Sequence, residues 1–272
     1  MAGVAVLSPA REILRFRSLL GTLTSRELKA RYRGSLLGFL WSLANPLLLL
    51  AVYALVFGFI FQARFDGVEP YPVFLVAGLF PWLWVSTALL EGAMAFTANS
   101  GLLRKAVFPV ELLPTVPVLA NLVHFVFALP ILAAALLVGR YMGYPLSGPS
   151  ALLLPAVILL QLPMLTGLAL GLSALNAHFK DVRDLVSNLL TLAFFMTPIL
   201  YPLSTLEPHP ALWWAVRLNP FTPFTLAYQQ TLFHGVVPDP ELWLQMALVS
   251  AVSWALGAGL FARLRETLVE AA

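Results

Sequence analysis

The feature that most constrains this chain is a series of long stretches free of Asp, Glu, Lys and Arg. Residues 34–63 contain none, and comparable runs cover 112–138, 151–176, 185–201 and 242–262, with 71–97 interrupted only by Glu91. A spanning α-helix needs about 20 consecutive apolar residues to cross a hydrocarbon core of about 30 Å. Lipid offers no partner to a bare backbone group, so such runs must become helices. Trimmed to 36–61, the first run joins the other five as six expected spans. These spans and their loops use up the 272 residues and leave no polar stretch long enough for an extramembrane domain. Only 11% of residues are charged, against roughly 25% in soluble domains. The expected fold is therefore an all-α membrane bundle, residues 36–262, in a single domain covering 1–272.

A seventh uncharged run, 218–238, competes with this count. It carries Asn219, Thr222, Thr225, Gln229, Gln230, Thr231 and His234, with prolines at 220, 223 and 238. Those prolines interrupt helical hydrogen bonding, and irregular backbone is tolerated at membrane depth only where protein covers it. The expectation is a broken, re-entrant helical segment over 205–238, between spans five and six. Charge asymmetry supports it. Six spans and a cytoplasmic N-terminus leave only Arg64, Arg140 and Arg217 on the far side, with every other Lys and Arg inside. A seventh span would carry Arg263 and Arg265 across.

Residues 1–33 differ in kind. Ile13, Phe16, Leu20 and Leu23 recur at helical spacing among Arg11, Arg15, Arg17, Arg26, Lys29, Arg31 and Arg33. This pattern predicts an amphipathic interfacial helix, each cation gaining about 1 kcal/mol beside anionic headgroups. The leader lacks the basic–apolar–cleavage order of a signal peptide and is expected to stay on.

Motifs for catalysis are missing from the sequence. No G-x-x-x-x-G-K-[ST] loop exists to cradle nucleotide phosphates, and no H-E-x-x-H spacing to hold zinc. With no cysteine there is neither a disulfide nor a thiolate ligand. Asp181 and Asp184 sit in KDVRD, which supplies its own cations. Glu91 is the one acid within a span, near enough to its cytoplasmic end to meet an Arg or Lys, and His124 suits a helix–helix hydrogen bond. Ion-driven transport normally needs more than this, so energy is expected to arrive mechanically from a partner. The loop TANSGLLRKAVFP offers a place, with Ser100 as cap, Leu102, Leu103 and Phe108 as apolar anchors, and Arg104 and Lys105 at the rim. Phe80, Trp82 and Trp84 lie deep in span two, where an indole N–H needs a polar surface. Together with Trp41 and Tyr201 they are candidate channel-lining aromatics, on which sugar rings can stack. Trp213 and Trp214 read as an interfacial belt.

Taken in order, RELKARYRGSLLGFLWSLANPLLLLAVYALVFGFIF, VAGLFPWLW, LLRKAVFPVELLP, LGLSALNAHFKDVRDLV, FFMTPILYPLS and RLNPFTPF resemble the ABC-2 type permeases of polysaccharide and polyol phosphate exporters. The resemblance covers nearly the whole chain. It implies an O-antigen or teichoic-acid type export permease in the cytoplasmic membrane. Two copies would pair with two separate ABC ATPase subunits, which hold ATP and Mg, so that this chain is no enzyme and binds no cofactor. It also implies ATPase contacts at 100–107 and at the interfacial helix, a channel between the two copies, and a glycan carried on undecaprenyl diphosphate. Arg26, Glu27, Lys29, Arg31 and Arg33 would meet that diphosphate or the ATPase. Membrane lipids are the other expected partners; nucleic acid is not one. Export of a small molecule or lipid by the same fold stays open, as do, more remotely, an intramembrane enzyme of envelope synthesis and a passive channel.

Overall fold

The computed structural model describes residues 2–60, 65, 67–103, 109–144 and 148–265, and these are almost entirely helical, with no strand among them. Two helices open the chain, α1 (Ala2–Arg15) and α2 (Arg17–Arg31), broken at Phe16. A 3₁₀ turn at Gly38–Leu40 leads into α3 (Trp41–Tyr53), which loosens into a π-helical turn, Ala54–Ile60. Next come α4 (Tyr71–Ala93), two four-residue helices α5 (Ala95–Ala98) and α6 (Ser100–Leu103), and α7 (Leu112–Tyr141). A 3₁₀ turn at Pro149–Leu153 feeds α8 (Leu154–His178), followed by α9 (Val182–Phe195). A further turn at Leu203–Leu206 precedes α10 (Pro210–Arg217) and α11 (Thr222–Tyr228). The latter runs on as a π-helical turn, Gln229–His234, and α12 (Pro240–Leu264) ends the described fold.

Among the described residues, four helices are long and apolar enough to cross a membrane: α4, α7, α8 with its leading turn, and α12, with mean hydropathies of 2.0, 2.4, 2.0 and 1.6. Within α4, 78% of the apolar window is buried in protein, against 28–33% in the other three. The second predicted span is therefore the axis of the bundle, and the others wrap it with one side left for lipid. Spans one and five are shorter elements. The α3 run, Trp41–Phe57, is apolar but short. At 14 residues, α9 reaches about 21 Å, and the expected span 185–201 finishes in non-helical turns after Phe195. The second span likewise ends as a helix at Ala93, before the expected Thr97.

Side-chain size sets the packing of α8 on α12. A Cβ on Gly257 would fall 1.8 Å from the Gly167 carbonyl oxygen, and one on Gly167 would fall 2.5 Å from the Trp254 Cα. Only glycines let the two backbones meet this closely, which is how helices associate where lipid removes the hydrophobic drive between them.

The uncharged 218–238 run is helical only over 222–234, after turns at 218–221 that part it from α10. Several of its polar groups bond within protein. Asn219 Nδ2 donates to the Met196 carbonyl (3.1 Å) and to Thr197 Oγ1 (2.9 Å), Gln229 Nε2 donates to the Pro198 carbonyl (2.7 Å), and the Tyr228 hydroxyl donates to Gln161 Oε1 (2.6 Å). Thr222, Tyr228, Gln229 and Thr231 are all buried.

Candidate functional site: a polar junction beneath an aromatic cavity

Charged and amide side chains converge where α2 meets α4 and α7. The apolar stripe of α1–α2 is covered by α7: Ile13, Phe16, Leu19 and Leu23 pack with Leu20 against Leu112 and Val116. That docking carries Arg31, at the end of α2, to the last turns of α4. Arg31 Nη2 lies 2.7 Å from Glu91 Oε2, and Nη1 donates to Asn121 Oδ1 at 3.1 Å. Asn121 Nδ2 donates to Glu91 Oε2 (2.6 Å) and to the Pro117 carbonyl (2.9 Å). Three elements are tied by one charge pair and one amide. Glu91 thus meets a cation, as its place near the span end allows, and Arg31 has a partner inside the protein. One residue on, the Tyr32 hydroxyl lies 3.3 Å from the ring nitrogens of His124. Burial pushes the Tyr32 phenol up from its ordinary range, so it remains protonated there.

Above this junction opens a cavity of ≈ 520 Å³. It is lined by the polar side chains of Arg31, Tyr32, Ser35, Ser42, Asn45, Asn121 and His124 and by Trp41, Leu49, Phe80, Leu83, Trp84, Phe125 and Ala128. A space lined by both kinds of side chain suits an amphiphile. Of the aromatics singled out from the sequence, Trp41 is 40% exposed and stands at the rim, while Phe80 and Trp84 form the buried wall. The Trp84 N–H donates to the Val118 carbonyl at 3.1 Å, and its ring stacks on Phe125 at 5.6 Å. Its polar atom is thereby satisfied by the α7 backbone. Trp82 faces a second groove of ≈ 460 Å³ between α3, α4 and α9, together with Tyr53, Ser86, Ser187, Thr191 and Phe194. Tyr201 lies apart from both, donating its hydroxyl to the Phe195 carbonyl at the end of α9 (2.9 Å).

Three other basic residues, in α2 and just after it, are arranged differently from Arg31. Arg26, Lys29 and Arg33 are exposed and line a shallow groove with Ser18, Gly21, Thr22 and Ser25, while Glu27 lies 3.8 Å from Arg31. In the loop after α4, Ser100 opens α6, the backbone of Leu102 and Leu103 belongs to it, and Arg104, Lys105 and Phe108 lie outside the described residues. At the opposite end of the bundle, Arg217 pairs with Glu241 (2.6 Å) and lies over the Trp213 ring at 4.7 Å. Among the described residues, no group of three or more His, Asp or Glu is placed to hold a metal ion.

Sequence reading missed Asn121, Tyr32 and the ion pair Glu111–Arg265. Asn121 was the most accessible of these, being an amide in the middle of a predicted span.

A family model described as "ABC-2 type transporter" matches residues 18–233. The chain is 40% identical over 262 residues to an "O-antigen export system permease protein RfbA" of Myxococcus xanthus, covering 96% of this chain and 97% of that one. A protein of the same description from Klebsiella pneumoniae is 32% identical over 221 residues, 80% of this chain and 82% of the relative. A "Polysialic acid transport protein KpsM" of Escherichia coli is 22% identical over 246 residues, 90% and 92% of the two chains.

Proposed function

Because this chain belongs to the ABC-2 type transporter family, we propose that it is the membrane subunit of an ATP-driven exporter of a lipid-linked polysaccharide, of O-antigen or teichoic-acid type. The observation that carries this is the end-to-end likeness to an O-antigen export permease, 40% identical across 96% of the chain. It is a multi-pass membrane protein and a transport subunit, with four apolar helices of spanning length. In the proposed arrangement α3 and α9 complete six spans in the inner membrane, both termini are cytoplasmic, and 205–238 re-enters from the outer side. The bonds that Asn219 and Gln229 make within protein support the re-entrant reading, since irregular backbone is tolerated at membrane depth only where protein covers it.

The sequence has no nucleotide loop. ATP and Mg therefore belong to a separate ABC ATPase, two copies of which pair with two copies of this chain, and this chain binds no cofactor of its own. The ATPase contacts Ser100, Leu102, Leu103, Arg104, Lys105 and Phe108, and its closure on ATP shifts the spans flanking that loop as rigid bodies. The channel opens between the two permeases, along the α3 and α9 faces. The glycan passes the exposed Trp41, while Phe80, Trp82 and Trp84 are buried in the bundle and support the wall behind it. Its undecaprenyl diphosphate is drawn from the cytoplasmic leaflet by Arg26, Lys29 and Arg33. With its guanidinium held by Glu91, Arg31 serves the junction first.

Deleting the gene in its own host tests the reading. Lipid-linked polysaccharide should accumulate on the cytoplasmic face and return to the cell surface when the chain is supplied in trans. Normal surface polysaccharide in the deletion strain would refute it.

A further inference from the structure

Glu111 begins the turn into α7, directly after the loop that carries α6. Its side chain is completely buried, and neither carboxylate oxygen takes a hydrogen bond among the described residues. Its partner is Arg265, at the far end of α12, whose Nη1 lies 2.9 Å from Oε1. A carboxylate shut away from water with one ion-pair contact is an expensive arrangement, tolerated only where its partner stays in place. The two charges also match their helices. The acid stands at the positive end of α7 and the cation at the negative end of α12.

The surroundings make this pair more than a local contact. Ala95 and Phe96 of α5 and Leu113 of α7 form one apolar cluster with Leu170, Ala174 and Ala177 of α8 and with Ala258 and Phe261 of α12. Phe96 stacks on Phe261 at 6.1 Å. Farther up, α8 and α12 are locked together by the contact between Gly167 and Gly257. The loop after α4 is thus fastened on both sides to the α8–α12 pair.

We infer that Glu111 and Arg265 form a clasp through which a push on the 100–108 loop is passed to α8 and α12 moving as one block. Both act as positioning residues for energy coupling. This rests on the reading above that the loop meets an ATPase.

The test uses the complete complex of this chain with its ATPase in proteoliposomes, read as glycan chains exported per ATP hydrolysed. Arg265→Gln strands a buried carboxylate and should lower that ratio about tenfold, whereas Glu111→Gln leaves only a half-exposed cation and should lower it about threefold. The double variant should match Glu111→Gln, because the two residues act as a unit. All three should co-purify with the ATPase and keep its basal turnover. The chain contains no native cysteine, so Glu111→Cys with Arg265→Cys can be bridged by a cleavable bifunctional thiol reagent. Bridging should restore coupling to within about twofold of the parent, and cleavage should abolish the gain. An unchanged ratio in Arg265→Gln, additive damage in the double variant, loss of ATPase binding, or a bridged complex that hydrolyses ATP without export would each overturn the clasp. A parent chain that binds no ATPase would instead refute the functional reading.

Discussion

At the scale of single residues, the decisive feature is that Glu91, the acid within a span, is matched within the protein. A lone ion near lipid costs several kcal/mol, and Glu91 avoids this by accepting from Arg31 and Asn121 together. The guanidinium and carboxylate side chains are 25% and 33% exposed, so solvent screens part of the pairing. Replacing Arg31 with Gln should therefore cost about 1–2 kcal/mol, less than the loss expected for a fully buried pair. The lowered unfolding midpoint of the detergent-solubilised protein measures it. Glu91→Gln should cost less, because its amide can still accept from Asn121. Equal stability in all three proteins would remove the junction as a structural element. The Trp84 indole illustrates a different resolution of the same problem. Depth in a span suggested a wet surface, yet a carbonyl of the neighbouring helix satisfies the N–H.

Among elements, the close approach of α8 and α12 and the broken segment before α12 yield the sharpest expectations. Gly257→Ala would drive a methyl group into the Gly167 carbonyl and should cost about 3 kcal/mol through forced separation of the two helices. Unfolding of purified protein in mixed micelles checks it; an unchanged midpoint would show that the helices have slack. The cysteine-free background also allows the broken segment to be placed directly. Single cysteines at the exposed positions Glu207 and Val237 should both react with a membrane-impermeant thiol reagent added outside intact cells. Labelling from opposite sides would mean that 218–238 crosses the bilayer after all. The long apolar runs were legible in the sequence because length and lack of charge are local properties. So was the turn at 218–221 before α11, since Asn219 and Pro220 signal it without reference to neighbours. The short α9 did leave a local signal that the uncharged run hides, because Pro198 lacks an N–H and disfavours helix at Thr197; the bond from Asn219 to the Met196 carbonyl that follows was not legible. Nor was the Gly167–Gly257 contact, which joins positions far apart in the chain.

For the whole molecule, the uncovered faces matter most. Arg26, Lys29 and Arg33 present cations that the bundle does not bury. Replacing all three with Gln should lower export about tenfold or more while the ATPase still co-purifies, since each cation near an anionic surface contributes about 1 kcal/mol. Loss of ATPase binding would make them docking residues. The candidate site was half visible in advance: Arg31, Glu91 and His124 stood out as charged or titratable groups beside apolar runs. What joined them, the packing of α2 across α7, is a long-range contact that no local pattern announces. The central expectation is that this chain transports only with a partner's energy. The most direct measurement is ATP-dependent translocation of lipid-linked glycan in proteoliposomes containing this chain with or without its ABC ATPase. Export is expected only when both proteins and ATP are present, and none when the ATPase cannot hydrolyse. Export by this chain alone, or ATP hydrolysis by it alone, would contradict it.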